Sequence, residues 1–254
     1  MRPNQKLFVL FLLMLFQGFA QNEVLFQKAT EAYNQGSYQK AIDFYETILS
    51  NKNHSADLYF NLGNCYYKLD EIGPSIYYYE KALLLRPNDN EIKNNLSFAQ
   101  NMRVDAIDKM PKTAFSNVKE KVVMALLPDQ WGYLAVALMI CFVLGFITYY
   151  VASSSTVKRI TFISANVALV VSIFSVVMGY LADSAESAKN PAIIFNREIV
   201  VTSEPNERSE KVFALHEGTK VDVIESLDDW KKIRIADGQT GWMPAQGLRL
   251  LKDF

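Results

Sequence analysis

The sequence predicts a multidomain chain in three parts: an α-helical repeat solenoid, a hairpin of two transmembrane helices, and a small C-terminal β-barrel. Three observations carry this. Residues 22–89 repeat themselves with a period of 34. Two uncharged runs, 132–152 and 160–182, are separated by one short connection. From Arg197 onward, short alternating runs are punctuated by Gly and Asp turns. The length of 254 residues fits one or two domains. Net charge is −1, so no basic stripe exists to collect phosphates, and nucleic-acid binding is disfavoured.

The chain opens with MRPNQKLFVLFLLMLFQGFA. Arg2 and Lys6 precede an apolar run from Leu7 to Phe16, and Gly18 and Ala20 are small residues at −3 and −1 of a cut after Ala20. Residues 1–20 therefore read as a secretory signal peptide. Its apolar run covers roughly 15 Å as a helix, well short of the roughly 20 residues that span a bilayer. An uncleaved anchor is the alternative, and it too would send the chain from Gln21 onward across the membrane.

Residues 21–103 form the repeat region, with units at 22–55 and 56–89 and a capping helix from about Asn90 to Arg103. The second unit is ADLYFNLGNCYYKLDEIGPSIYYYEKALLLRPND. Gly63 and Ser75 are small where two helices cross, Tyr59, Leu62, Tyr66 and Tyr79 fill the gap between them, and Pro87 stops the second helix. With Ala82 these eight residues fall on the signature positions of a tetratricopeptide repeat, which this unit resembles. The first unit keeps Ala29, Ala41 and Tyr45, marks its turn with Gly36, and lacks the terminal Pro. The cap hides the apolar end of a stack. The resemblance implies a concave, protein-binding surface whose inward positions are Phe26, Thr30, Tyr33, Phe60, Asn64 and Tyr67. They are aromatic and amide rather than cationic, so the carboxylate clamp of chaperone-binding members is not carried over. Packing within the stack explains each aromatic equally well.

Residues 104–130 form an amphipathic connector between Pro111 and Pro128. Phe115, Val118, Val122, Val123, Leu126 and Leu127 share one face, suited either to the membrane–water boundary or to docking on the repeats. Residues 131–152 and 160–182 are the two predicted transmembrane helices, edged by Trp131, Tyr133, Tyr149, Tyr150 and Tyr180 as interfacial aromatics. The turn between them, 153–159, reads SSSTVKR. Burying Lys158 or Arg159 at the bilayer centre costs about 2.5–3.5 kcal/mol each, and positive charge favours the cytoplasmic side. With an exported N-terminus, the expected arrangement is a two-pass protein of a bacterial inner membrane with both soluble domains periplasmic. Small residues at Ala137, Cys141, Gly145, Thr148 and Ala152, and at Ser164, Ala168, Ser172, Ser175 and Gly179, predict the helix–helix contact. Asn166 is expected to bond a neighbouring helix or to lie near the headgroups. Neither span carries Asp, Glu, Lys, Arg or His, which leaves a pump without a titratable group.

Residues 183–196 read as a linker without a period, and 197–254 as the barrel. The pieces VTSEP, HEGTKVDVIE, Trp230, IRIADGQTGWMP and LRLL resemble, in order, a bacterial Src-homology-3-like (SH3-like) domain. Gly218 and Asp237-Gly238 mark turns, and Gly241 is expected to let Trp242 pack closely. The resemblance implies peptide binding, with Trp230 and Trp242 as groove candidates or, alternatively, as barrel framework.

No catalytic, metal-binding or cofactor-binding residues emerge. His54 and His216 lie in different domains, read as a solvated loop residue and a turn residue. Cys65 reads as an apolar filler without a local base, and no Cys or His spacing suggests zinc. An enzyme is not expected, and no cofactor.

Over its full length the order of parts resembles the BatE-type family, the E-type proteins of the Bacteroides aerotolerance operon, in the phrases NLGNCYYKL, NNLSFAQNMRVDAIDKMP and HEGTKVDVIE. The resemblance implies a scaffold in a cell-envelope stress complex, with von Willebrand factor A domain proteins as partners. The expected function is a membrane-anchored periplasmic adaptor. The alternative is cell-wall attachment, with the barrel gripping peptidoglycan peptides.

Overall fold

Each repeat helix starts and stops where local chemistry demands. The computed structural model describes residues 21–108, 110–111 and 114–253; the leader read at 1–20 and the side chain of Phe115 lie outside the described parts. Residues 21–34 are helical (α1), and Gly36 turns the chain into α2, Tyr38–Ser50. Helix α3, Ala56–Lys68, is capped by Ser55, whose side chain accepts from the Leu58 N–H at 3.1 Å, and it carries Asp57 in its first turn and Lys68 in its last. Helix α4, Ile72–Leu85, ends just before Arg86-Pro87, as proline's steric limits on the preceding residue require. Arg86 then reaches both carboxylate oxygens of Asp57 at 3.0 Å, tying the end of the unit to its start. Asp89 caps α5, Asn90–Asn101. The helix crossing within the second unit is the one the sequence predicts. A Cβ on Gly63 would stand 2.6 Å from Tyr79 Cδ1, and Ser75 Oγ donates to the Gly63 carbonyl at 3.0 Å.

The C-terminal part is a seven-stranded antiparallel sheet. Its strands are β1 Pro191–Ile194, β2 Glu198–Thr202, β3 Lys211–His216, β4 Lys220–Leu227, β5 Trp230–Arg234, β6 Thr240–Pro244 and β7 Leu248–Leu250, in the order β3-β2-β6-β5-β4-β1-β7. Irregularities at Val201/Thr202 and Val223/Glu225 break the pairing register in two places. Residues 191–194, read from sequence as linker, are a strand held between β4 and β7. Gly241 has a different reason from the one expected: a Cβ there would meet Val201 Cγ1 at 2.5 Å, so the close approach is to β2.

The repeats and the barrel form one compact unit, composed of residues through Lys109 and from Asn190 onward. The core built by α1–α5 includes Ile193 and Leu251 from the barrel, both fully buried. Tyr77 of α4 packs edge-on against Phe195 with centroids 5.3 Å apart. Polar clasps surround this contact. Glu80 pairs with Lys220 at 2.7 Å, and Lys81, 5% exposed, pairs with Asp253. The Lys81 Nζ also lies 5.0 Å from the Tyr59 ring centroid and 5.3 Å from that of Tyr77. After α5, Asp105 accepts from the His216 N–H at 2.7 Å and from Thr219 Oγ1 at 2.6 Å, and its other oxygen lies 2.7 Å from His216 Nδ1. His216 is therefore part of a clasp rather than a simple turn residue. Likewise His54 Nδ1 lies 2.6 Å from the Tyr59 hydroxyl.

Met110–Lys189 form the second unit. Helix α6, Ala114–Val123, leads to α7, Pro128–Val151, and α8, Ser155–Ser187. The last two are long and apolar enough to cross a membrane. Within this unit α6 buries Val123 against Trp131 and Ala182, while Val118, Val122 and Leu127 stay exposed. Trp131 is buried there, donating its Nε1–H to the Val123 carbonyl at 3.1 Å. On α8 the predicted small-residue face holds at Ser172 and Ser175, which are buried, and at Ala168 and Gly179, which are half-buried, but not at Ser164, which is exposed. On α7 it mostly fails. Ala137, Cys141 and Thr148 are exposed, and the least exposed positions are Trp131, Ala135, Leu138, Phe142, Gly145, Tyr149 and Ala152. Small residues of both helices meet at Gly145, where an added Cβ would stand 3.1 Å from Ala165 Cβ, whereas Gly179 of α8 lies under the large Trp131. Ser172 Oγ donates to the Ala135 carbonyl at 2.9 Å and links the two helices.

Candidate functional site

The groove on the repeat region is assembled from three helices. Tyr33 ends α1, while Phe60, Asn64, Tyr67 and Lys68 follow one face of α3 at helical spacing. Glu91, Asn95 and Phe98 present a matching face of α5, and Tyr79 forms the floor from α4. Together they enclose about 310 Å³, at the small end of ligand-binding clefts. Four of the six repeat positions named from sequence, Tyr33, Phe60, Asn64 and Tyr67, are thus brought together. The other two are not. Phe26 packs edge-on against Tyr45 at 5.4 Å, and Thr30 Oγ1 donates to the Phe26 carbonyl and lies 3.2 Å from the Tyr45 hydroxyl. Both serve the first unit's own core.

A hydrogen-bond chain fixes the groove's polar centre. Asn64 Oδ1 accepts from Tyr79 OH at 2.6 Å and from Asn95 Nδ2 at 3.0 Å. Burial pushes the hydroxyls of Tyr33 and Tyr79 up from their ordinary pKa, so both are neutral at physiological pH. Lys68 and Glu91 add one charge of each sign to the wall. The chemistry on offer is aromatic contact around amide groups, suited to a peptide backbone and its side chains. Phe98 is 59% exposed. The sequence reading missed it along with Lys68, Glu91 and Asn95, although the signal was present: the 34-residue step from Thr30 to Asn64 leads next to Phe98.

On the barrel the two tryptophans separate. Trp230 is half-buried at the start of β5. Trp242 is only 7% exposed, paired from β6 with Thr202 of β2 and covered by Lys232 Nζ at 5.7 Å from its ring. Trp242 is framework, because the close approach of β2 to β6 buries it. Among the described residues, no group of three or more His, Cys, Asp or Glu is placed to hold a metal. Cys65 is fully buried, and burial pushes its thiol up to about 12, away from nucleophilic use.

Comparison with known families agrees with this division. Residues 56–89 match the tetratricopeptide repeat, and residues 201–249 match the bacterial SH3 domain. No curated protein matches the chain. Both matched modules are typically binding rather than catalytic domains, and the chain is similar to them over the very parts that form its repeats and its barrel.

Proposed function

We propose that the protein is a membrane-anchored scaffold whose repeat groove holds a peptide segment of a partner protein. The observation that carries this is the groove itself, with Tyr33, Phe60, Tyr67 and Phe98 surrounding the Asn64–Asn95 pair. Helices α7 and α8 anchor the body in the inner membrane, and the body faces the periplasm. That orientation is supported by the leader at 1–20 and by Lys158 and Arg159, which the sequence reading put in the turn and which lie in the first turns of α8, Ser155–Ser187, beside the connection. Anchoring confines the groove to the layer where membrane partners lie and raises their effective concentration. The module order shared with the BatE-type aerotolerance proteins supplies the proposed setting, an envelope complex that includes von Willebrand factor A domain proteins.

The test is crosslinking in intact membranes with identification of the captured proteins, comparing the natural chain with a Tyr67→Ala/Phe98→Ala double variant. Loss of a specific partner from the variant, with unchanged protein level, supports the groove. Retention of every partner sinks it. Wall attachment through the barrel is less well supported, since Trp242 is inaccessible; binding of purified peptidoglycan that disappears on Trp230→Ala would revive that reading.

A further inference from the structure

Helix α8 carries an amide that its hairpin does not use. Asn166 is exposed, and its Nδ2 donates to the Phe162 carbonyl of its own helix at 2.8 Å. No other residue among those described bonds its Oδ1. The stripe of α8 that meets α7 runs through Ala165, Ser172, Ser175 and Ala182, so Asn166 lies on a different face. Sharing that face, in alternating steps of three and four, are Ile163, Val170, Ile173, Val177 and Tyr180, all between 47% and 70% exposed. Such spacing keeps one stripe turned toward a parallel helix, and a single Asn within an apolar seam fixes register.

This inference rests on α8 spanning the membrane. Seven residues past Arg159, Asn166 then lies roughly 10 Å along the helix from the turn, where lipid offers no hydrogen-bond partner. We propose that this face docks against the same face of a second copy of the chain, the two Asn166 side chains exchanging hydrogen bonds. A carboxamide has both donor and acceptor and is therefore complementary to itself. A two-fold axis normal to the membrane places both amides at the same depth and the two helices parallel. Lipid covers the isoleucines and valines equally well but leaves the amide oxygen without a donor.

The experiment uses the full chain in its native membrane, with Cys141→Ser removing the exposed thiol and the buried Cys65 retained. Single cysteines are placed on the stripe, Val170→Cys or Val177→Cys, and off it, Val167→Cys, and the membranes are oxidised with copper–phenanthroline. Disulfide homodimers at 170 and 177 with only background at 167 are expected. Asn166→Leu should weaken association roughly 3- to 30-fold, and Asn166→Gln should restore it. Equal crosslinking at 167 and 170, an Asn166→Leu variant that associates as before, or a product joining Val170→Cys to a different protein would each overturn the proposal. Alkaline carbonate extraction separates the underlying readings. Release of the protein sinks the membrane reading and this dimer with it, whereas retention without crosslinks sinks the dimer alone.

Discussion

Ile193→Ala should loosen the repeat helices, although Ile193 belongs to the barrel. The residue sits in β1, opposite Lys220 on one side and Arg249 on the other, yet its side chain is fully buried in the core that α1–α5 build. Replacing such an isoleucine with alanine costs about 2–5 kcal/mol from lost burial and the cavity left behind. At about 1.4 kcal/mol per tenfold, the opening equilibrium shifts by roughly 30- to 4,000-fold. Hydrogen exchange on the detergent-solubilised chain reads this directly, comparing peptides from α4 with peptides from β5 and β6. Because the array and the barrel share one core, exchange should accelerate by a similar factor in both. Ile233→Ala, buried wholly within the barrel cluster, should produce the same joint response. If α4 exchanges within threefold of the natural protein while the barrel strands speed up, the two domains fold independently and the shared-core argument fails.

Three other outcomes concern the clasps and the thiol. Asp253→Ala should cost about 2 kcal/mol, less than a fully buried pair because Asp253 is 45% exposed. Lys81→Met should cost less still, since Asp253 then rehydrates while methionine keeps the buried stem; denaturant midpoints with the reverse order would refute this. For Asp105, burial raises the pKa, but the hydrogen bonds from Thr219 and His216 outweigh it and hold the carboxyl below its usual range. A depressed folded pKa gives stability that is present above the unfolded value of about 3.9 and lost as pH falls through the folded one. Asp105→Asn should therefore flatten the acid limb of a stability–pH curve below about pH 4, and an unchanged limb would show that the clasp does not titrate there. Cys65, with its thiol pushed up to about 12, should resist maleimide at pH 8 until the protein unfolds; native labelling would mean that the repeat core opens readily.

How legible was this in the sequence? The 34-residue period located both helices of the second unit because it repeats a packing problem, a small residue under a large ring, and Gly63 beneath Tyr79 solves it. Strand β1 escaped because PAII is short and buried at three of its four positions, so it shows no alternation. The Asp105–His216 clasp joins residues 111 apart and has no local signature. On α7 the small-residue pattern was right at Gly145, which closely approaches Ala165, but it misled at Ala137, Cys141 and Thr148, small residues that face outward. In the groove, the aromatic and amide positions of α3 were legible from the repeat register. The α5 wall was overlooked although the 34-residue step from Asn64 reaches Phe98, because the capping helix reads only as a cover for the open end of the stack.

The shared core also constrains how the chain can meet a membrane. An odd number of crossings between Lys109 and Asn190 would put the repeats and the barrel on opposite faces, where Ile193 could not reach its cluster. If α7 crosses, α8 must cross back. Keeping both helices in water is the other option, but only 6% and 17% of their most apolar windows are buried, leaving an apolar surface that water does not tolerate. Cysteines at Lys93 on α5, at Glu207 beyond β2 and at Ser154 in the turn, all exposed positions, test this with a membrane-impermeant maleimide. With the outer membrane permeabilised and the inner one sealed, Lys93→Cys and Glu207→Cys should label alike and Ser154→Cys should not. Labelling at 93 without labelling at 207 would contradict the shared core and the two-crossing arrangement together. Protection at both, with Ser154→Cys reactive, would keep the body intact and reverse only its orientation.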